Sequence, residues 1–149
     1  MHASAILQDY LDEVGRTVMA DDWDAYRLCV DLPCQIISAH ESKVVSTVED
    51  LKIGFEEFRN TLRTQRVTDY VRLVETAVQM DRELISGRYV SHLIAGSHRL
   101  IHPFRSEITL RLIGNIWRAV SVTNTLANSR WPLMRLTNPL EKTSEGSSE

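Results

Sequence analysis

The chain has little of what builds a covalent or cofactor-centred architecture. Only two cysteines occur in 149 residues. Cys29 and Cys34 are spaced neither as a CxxC redox pair nor as half of a zinc site, so two buried free thiols in a reducing compartment are expected. No apolar run approaches the ~20 residues that a membrane span needs. Asp9, Asp12 and Glu13 fall where the apolar segment of a signal peptide would have to be, and a cytoplasmic location with no membrane partner is expected. Positive charge is not in excess either. The net charge is −3, acidic residues interrupt the arginines throughout, and no nucleic-acid partner is expected. No Gly-rich phosphate loop, nucleophile elbow or triad signature is present, so no cofactor is called for. Internal repeats and domain linkers are absent as well. One domain over residues 1–140 is the expectation, followed by a polar, Ser-rich tail over 141–149 that cannot repay the entropy of ordering and is expected to be mobile.

What is present is a run of four strand-like segments in the second half: 69–80, 88–100, 104–113 and 116–126. Val, Leu, Ile, Thr and Tyr dominate them. The turn signals between them are Ser86-Gly87, His102-Pro103 and Gly114-Asn115. The third segment alternates cleanly, with Ile108, Leu110 and Leu112 on one face and Glu107, Thr109 and Arg111 on the other. The last is apolar on both faces: Ile116, Val120 and Val122 on one, Trp117 and Ala119 on the other. A strand of that kind is expected to be covered on both sides. Few helices are left to cover it, so a homodimer through the outer sheet face is expected.

The first half supplies the cover. Ile6, Leu7, Tyr10, Leu11, Val14 and Val18 recur at helical steps and predict a helix over 3–20, with Ser4 as its N-cap. Gly15 costs about 1 kcal/mol relative to Ala there and would let another element come close. Asp21-Asp22 caps a second, shorter helix over 23–30, which Leu32-Pro33 stops. A small edge hairpin comes next, with strands at 34–39 and 44–45 around His40-Glu41-Ser42-Lys43. A third helix runs to about Thr64. It starts from Ser46 with Glu49 in a capping box, or one residue later from Thr47 with Asp50. Val48, Leu51, Phe55, Phe58 and Leu62 form its apolar stripe. Trp131, Leu133, Met134 and Leu136, within 128–140, read as an arm that packs back or extends the dimer contact.

This order of elements, with D-D-W-D-A-Y from residue 21, V-S-T-V-E-D-L from residue 45 and G-N-I-W from residue 114, resembles the nuclear transport factor 2-like superfamily. That group includes the SnoaL-like cyclases and the ketosteroid isomerases. The resemblance implies an α+β, cystatin-like cone. Three N-terminal helices would pack on a curved, mainly antiparallel sheet made of a small hairpin and four long strands. It also implies an apolar pocket between the layers, for which Val14, Trp23, Tyr26, Val30, Phe55, Phe58 and Trp117 are candidate walls; Trp23, Tyr26 and Phe58 could equally be plain core. In the isomerases a helix tyrosine and a catalytic aspartate serve the site. The matching positions here fall near Val14 and Ser38, neither of which can do that work, and Glu41 beside them belongs to a hairpin turn.

The remaining candidates are ionisable side chains on strands. His92 lies inside a long strand and would suit general acid–base chemistry at neutral pH. His98, His102 and Glu107 are the nearest thing to a ligand set, but no spacing fixes them, and no metal is expected. Arg72, Arg88 and Arg118 also lie in strands. On a concave face any of them would recognise a carboxylate, but a solvent edge is the expected place for them. The resulting expectation is a protein that binds a small, mainly apolar molecule in the cone. The alternatives are a SnoaL-like isomerase, cyclase or hydratase using His92, and a non-catalytic oligomerisation or accessory subunit.

Overall fold

Two stretches of helical periodicity form the long helices α1 (Ala3–Ala20) and, after the short α2 (Trp23–Tyr26) and a 3-10 turn at Arg27–Cys29, α3 (Val48–Thr64) in this computed structural model. It describes residues 2–38 and 41–124. The expected arm over 128–140, the tail over 141–149 and the turn residue His40 lie outside the described residues. The strands are β1 (Val30–Ile37), β2 (Ser42–Val45), β3 (Asp69–Asp81), β4 (Leu84–Ala95), β5 (His98–Arg99), β6 (Phe104–Ile113) and β7 (Ile116–Asn124). Across the sheet they run β2-β1-β7-β6-β4-β3, with β5 paired to β4 off that path. Among the described residues only the β1–β7 pairing is parallel. The class is therefore α+β as expected: three N-terminal helices on an open, mainly antiparallel sheet, with the small hairpin at one edge. None of the described helices is long and apolar enough to cross a membrane.

Several boundaries differ from the sequence expectation, each for a local reason. Helix α1 begins after His2, which caps without a side-chain hydrogen bond, so Ser4 lies inside the first turn. Asp22 does cap α2, accepting from the Ala25 N–H at 3.2 Å. Helix α3 uses the later of its two registers, with Thr47 accepting from the Asp50 N–H at 3.1 Å. The chain after Cys29 extends at once, so the second helix is shorter than 23–30 and β1 starts at Val30. Pro33 then sits inside β1, where pairing with β7 slips between Val30 and Gln35. A residue without an N–H cannot continue the ladder at that point.

The turn between β3 and β4 is at Arg82-Glu83, with the Asp81 carboxylate accepting from the Glu83 N–H at 2.8 Å. Ser86-Gly87, expected as that turn, is instead inside β4. Gly87 is there for space: a Cβ would run into the Leu7 Cδ2 of α1 and stand 3.0 Å from the Thr76 carbonyl oxygen. The segment expected to run from 88 to 100 breaks at Gly96, whose φ of 66° turns the chain into β5. Gly114 and Asn115, at φ of 56° and 67°, form the β6–β7 hairpin turn that their residue types predict.

Helix α1 crosses the inner face of β3 and β4. The Gln8 side chain spans the free edge of β3, its amide donating to the Arg72 carbonyl at 2.7 Å and its oxygen accepting from the Val74 N–H at 2.9 Å. Such a side chain supplies the two bonds that a further strand would have made. One core cluster gathers Leu7 and Leu11 with Ile85, Tyr89, Ile108, Leu110 and Ala119. The other gathers Val14 and Val18 with Phe55, Leu62, Leu93, Ile101 and Phe104. From α3, Arg59 donates to the Val18 carbonyl at 2.9 Å and pairs with Asp21 at 3.3 Å, tying the two long helices together where α1 ends.

The Leu7–Gly87 contact makes a direct prediction. Gly87→Ala forces α1 away from β4 and is expected to cost about 1–3 kcal/mol, the usual range for overpacking. Chemical denaturation would show it as a lowered midpoint at unchanged slope. An unchanged midpoint would mean that the helix moves freely.

Candidate functional site

A cavity of about 190 Å³ lies between the helices and the inner sheet face, where the two core clusters meet. Its walls are largely aliphatic and aromatic, with Val14, Leu51 and Phe58 from the helices and Phe104, Ile108 and Val122 from the sheet. Four tyrosines, Tyr10, Tyr26, Tyr70 and Tyr89, also reach it, together with Ser38, Ser91, Ser106 and Asn124. Among the described residues, Arg72 is the one side chain on its lining that carries a charge at neutral pH.

Strand phase decides who faces the cavity. On β3, Tyr70, Arg72 and Val74 point inward. Pairing with β4 then slips at Glu75, between Val74–Tyr89 and Thr76–Arg88. On β4 the inward residues are the odd ones from Ile85 to Leu93, each buried. On β7 the slip is at Val120, since Ala119 pairs with Leu110 and Ser121 with Thr109. A bulge reverses the phase of the residues beyond it, so Ala119 and Val122 both line the cavity. The double-sided pattern of the last strand is thus partly a change of phase within one strand.

The expected site residues divide accordingly. Val14, Tyr26, Val30 and Phe58 lie on the cavity wall. Trp23 and Phe55 form a layer behind it: their rings stand 5.4 Å apart, and Tyr26 is 4.7 Å from Phe55. Trp117 packs on the Leu7–Leu11 cluster. His92 falls on an even position of β4, opposite Val71, and so sits on the outer face. It cannot touch a molecule held inside. Among the described residues no group of three His, Cys, Asp or Glu side chains is arranged to hold a metal. The positions matched to the isomerase tyrosine and aspartate, Val14 and Ser38, do line the cavity, but they bring neither a phenol nor a carboxylate to it.

The sequence reading favours a solvent edge for Arg72, and the structure corrects it. Arg72 lies on the concave face and is 8% exposed. Its Nη2 donates to the Leu11 carbonyl at 2.9 Å. Its guanidinium stands 4.7 Å from the Tyr70 ring centroid and 5.7 Å from that of Tyr89, within cation–π range. Burial alone would weaken its hold on the proton, but the surrounding phenols of Tyr70, Tyr89 and Tyr10 raise its pKa above the ordinary value. Gly15 leaves space beside it, since even a Cβ there would stand 4.0 Å from Nη2. The signal that could have found the three inward residues was the step of two in Tyr70, Arg72 and Val74. Val71 and Leu73 hid it by making the other face apolar too.

Solved structures share this fold over most of their length. An NTF2-like protein of unknown function from Shewanella oneidensis superposes with a TM-score of 0.64 at 9% identity, over 80% of this chain and 96% of that one. A protein of unknown function with a cystatin-like fold from Nostoc punctiforme gives 0.62 at 12% identity, over 94% and 99%. This chain has the nuclear transport factor 2-like, cystatin-like fold. An NTF2-like protein from Novosphingobium aromaticivorans, at a TM-score of 0.61 and 12% identity over 84% of this chain and 82% of that one, agrees. At such identities the likeness concerns the fold alone. No family model matches the sequence, and no curated protein does. The likeness therefore extends to the layout of helices and sheet, and the hollow and its lining have to be read from this chain's own residues.

Burial also acts on the phenols and thiols around the hollow. Burial raises the pKa of Tyr10, Tyr26 and Tyr70. Tyr10 also donates its hydroxyl to the Cys29 carbonyl at 2.8 Å. Both cysteines are free and buried. Burial pushes the Cys29 thiol up to about 11 and Cys34, on the cavity wall, up to about 12, from an ordinary 9.0. Because the folded values are raised, the associated stability is complete below pH 9 and is lost as the pH rises through 11 to 12. Two outcomes are expected. Native protein at neutral pH should resist alkylation by iodoacetamide until denaturant is added, and the denaturation midpoint should fall steadily above pH 9. Rapid alkylation of both thiols in the native state would contradict the burial.

Proposed function

We infer that the protein binds a small, mainly apolar molecule in the hollow between α1, α3 and the inner sheet face. The observation that carries this reading is the cavity itself: about 190 Å³, against roughly 150 Å³ for a dry apolar cavity that takes up benzene. Apolar walls with a few convergent polar groups are the usual make-up of a small-molecule site. The catalytic alternative with His92 has no support from its position on the outer face. Within the cavity, burial raises the pKa of Tyr10, Tyr26, Tyr70 and Cys34, so none of these is a ready base at neutral pH. The test is thermal: toluene or indole should raise the melting temperature of the purified chain. Val122→Phe, which fills the wall at a half-buried position, should abolish that rise while leaving the fold intact by circular dichroism. Failure of wild type to respond to either probe would remove the binding reading.

Homodimerisation through the outer sheet face belongs to the same proposal. It is favoured by Val71, Leu73 and Val78, exposed on β3, with Leu73 directly opposite Val90 of β4. Apolar side chains on neighbouring strands form the sort of patch that a second copy covers. Light scattering at micromolar concentration is expected to give twice the chain mass, and Leu73→Asp a single chain mass. A monomeric wild type would refute the dimer without touching the cavity. A cytoplasmic location is proposed with it, on the strength of two free thiols and no disulfide among the described residues.

A further inference from the structure

We propose that the cavity is an anion site: Arg72 receives the carboxylate of a small aromatic or branched aliphatic acid whose apolar body fills the remainder. This rests on the binding reading above and adds to it the chemistry of the ligand.

A guanidinium that is nine-tenths buried has lost most of its hydration, which costs several kcal/mol unless other groups replace it. At Arg72 the replacements are the Leu11 carbonyl and the two neighbouring tyrosines, Tyr70 and Tyr89. None of them is a carboxylate. Among the described residues, no carboxylate forms an ion pair with Arg72, although Arg16, Arg59, Arg88, Arg105 and Arg111 each have one. The Leu11 carbonyl could be satisfied by a neutral donor. A permanent cation there, turned toward a hollow, is matched by an anion in that hollow. Guanidinium has five N–H donors in a planar fork that suits a carboxylate, and Leu11 occupies one of them.

The surroundings narrow the anion further. Ser91 stands directly opposite Arg72 in the β3–β4 register, and Phe104 stands opposite Ser91 on β6. Directly opposed side chains on one face have Cβ atoms roughly 5 Å apart, so a hydroxyl and then an aromatic ring succeed the guanidinium across the sheet. One end of the hollow is thus cationic and hydroxylated, and the rest, with Val14, Leu51, Phe58, Ile108 and Val122, is apolar. A single cation suits a monoanion, whereas a phosphate dianion would call for a second. The volume suits a body the size of one six-membered ring.

The experiment compares three probes of one shape: benzoate, benzyl alcohol and toluene, titrated by calorimetry at neutral pH and fixed ionic strength. Wild type should bind benzoate roughly ten- to a hundredfold more tightly than benzyl alcohol, as expected for hydrogen bonds to a charged partner. Arg72→Met should erase that preference and retain toluene binding, and Arg72→Lys should keep part of it. Benzoate binding no tighter than benzyl alcohol in wild type overturns the anion site and leaves the apolar cavity standing. Toluene and benzyl alcohol both failing in wild type overturns the cavity reading itself. The wild-type comparison decides the matter even if Arg72→Met does not fold. Where it does fold, a benzoate preference surviving in that variant overturns the role of Arg72.

Discussion

A strand can present only alternate residues to one face, and a sheet that bends around helices must break that alternation somewhere. This constraint governs the molecule. Two of the breaks shape the cavity face, at Glu75 on β3 and at Val120 on β7, where one residue drops out of the ladder. Before the first break β3 offers Tyr70, Arg72 and Val74 to the interior, and after it Ala77 packs on the Leu7–Leu11 cluster. The second break brings Ala119 and Val122 to the same cavity. Each bulge bends its strand and increases the local twist. The displaced Glu75 is not idle: its carboxylate pairs with Arg105 at 2.8 Å. At mostly exposed Arg105 such a pair contributes little to stability.

Helix α1 can lie against this surface only because two residues yield. Gly87 offers no side chain where Leu7 arrives, and Gln8 gives the free edge of β3 the two hydrogen bonds it lacks. Close docking puts the Leu11 carbonyl within reach of Arg72. The cation is therefore built into the contact between helix and sheet rather than hung from a loop, and its position is as rigid as that contact. A group fixed in this way loses little entropy on meeting a ligand, which is the physical advantage of placing recognition on regular elements.

The sequence is readable where one element's own pattern decides the outcome. Helices α1 and α3 declare themselves by their spacing, β6 by its strict alternation, and the β6–β7 turn by Gly114-Asn115, both of which hold positive φ. It is unreadable where a second element decides. Gly87 looks like a turn residue until Leu7 is seen above it. Val120 looks like a wall residue of an apolar strand until its pairing is known. His92 does lie in a strand, but its face depends on the register with β3, which no local pattern carries. Arg72 suffers from the same ambiguity, because Val71 and Leu73 make the wrong face look like the core.

The two residues whose faces no local pattern reveals are also the two on which the functional alternatives turn, and the structure sends them in opposite directions. The even-numbered histidine goes outward and the cation goes in. Among the described residues, the wall of the hollow carries hydroxyls, the Cys34 thiol and the Arg72 guanidinium but no carboxylate or imidazole, so it is poorly equipped to move protons at neutral pH. It is well equipped to hold a negative charge: in a low-dielectric enclosure a single guanidinium attracts an anion more strongly than it would in water. The same enclosure penalises the cation when it stands alone. An acid that fits would therefore gain from the ion pair and relieve the fold of an unpaired charge, so that ligand binding and the stability of the α1–sheet contact are coupled through the one residue that takes part in both.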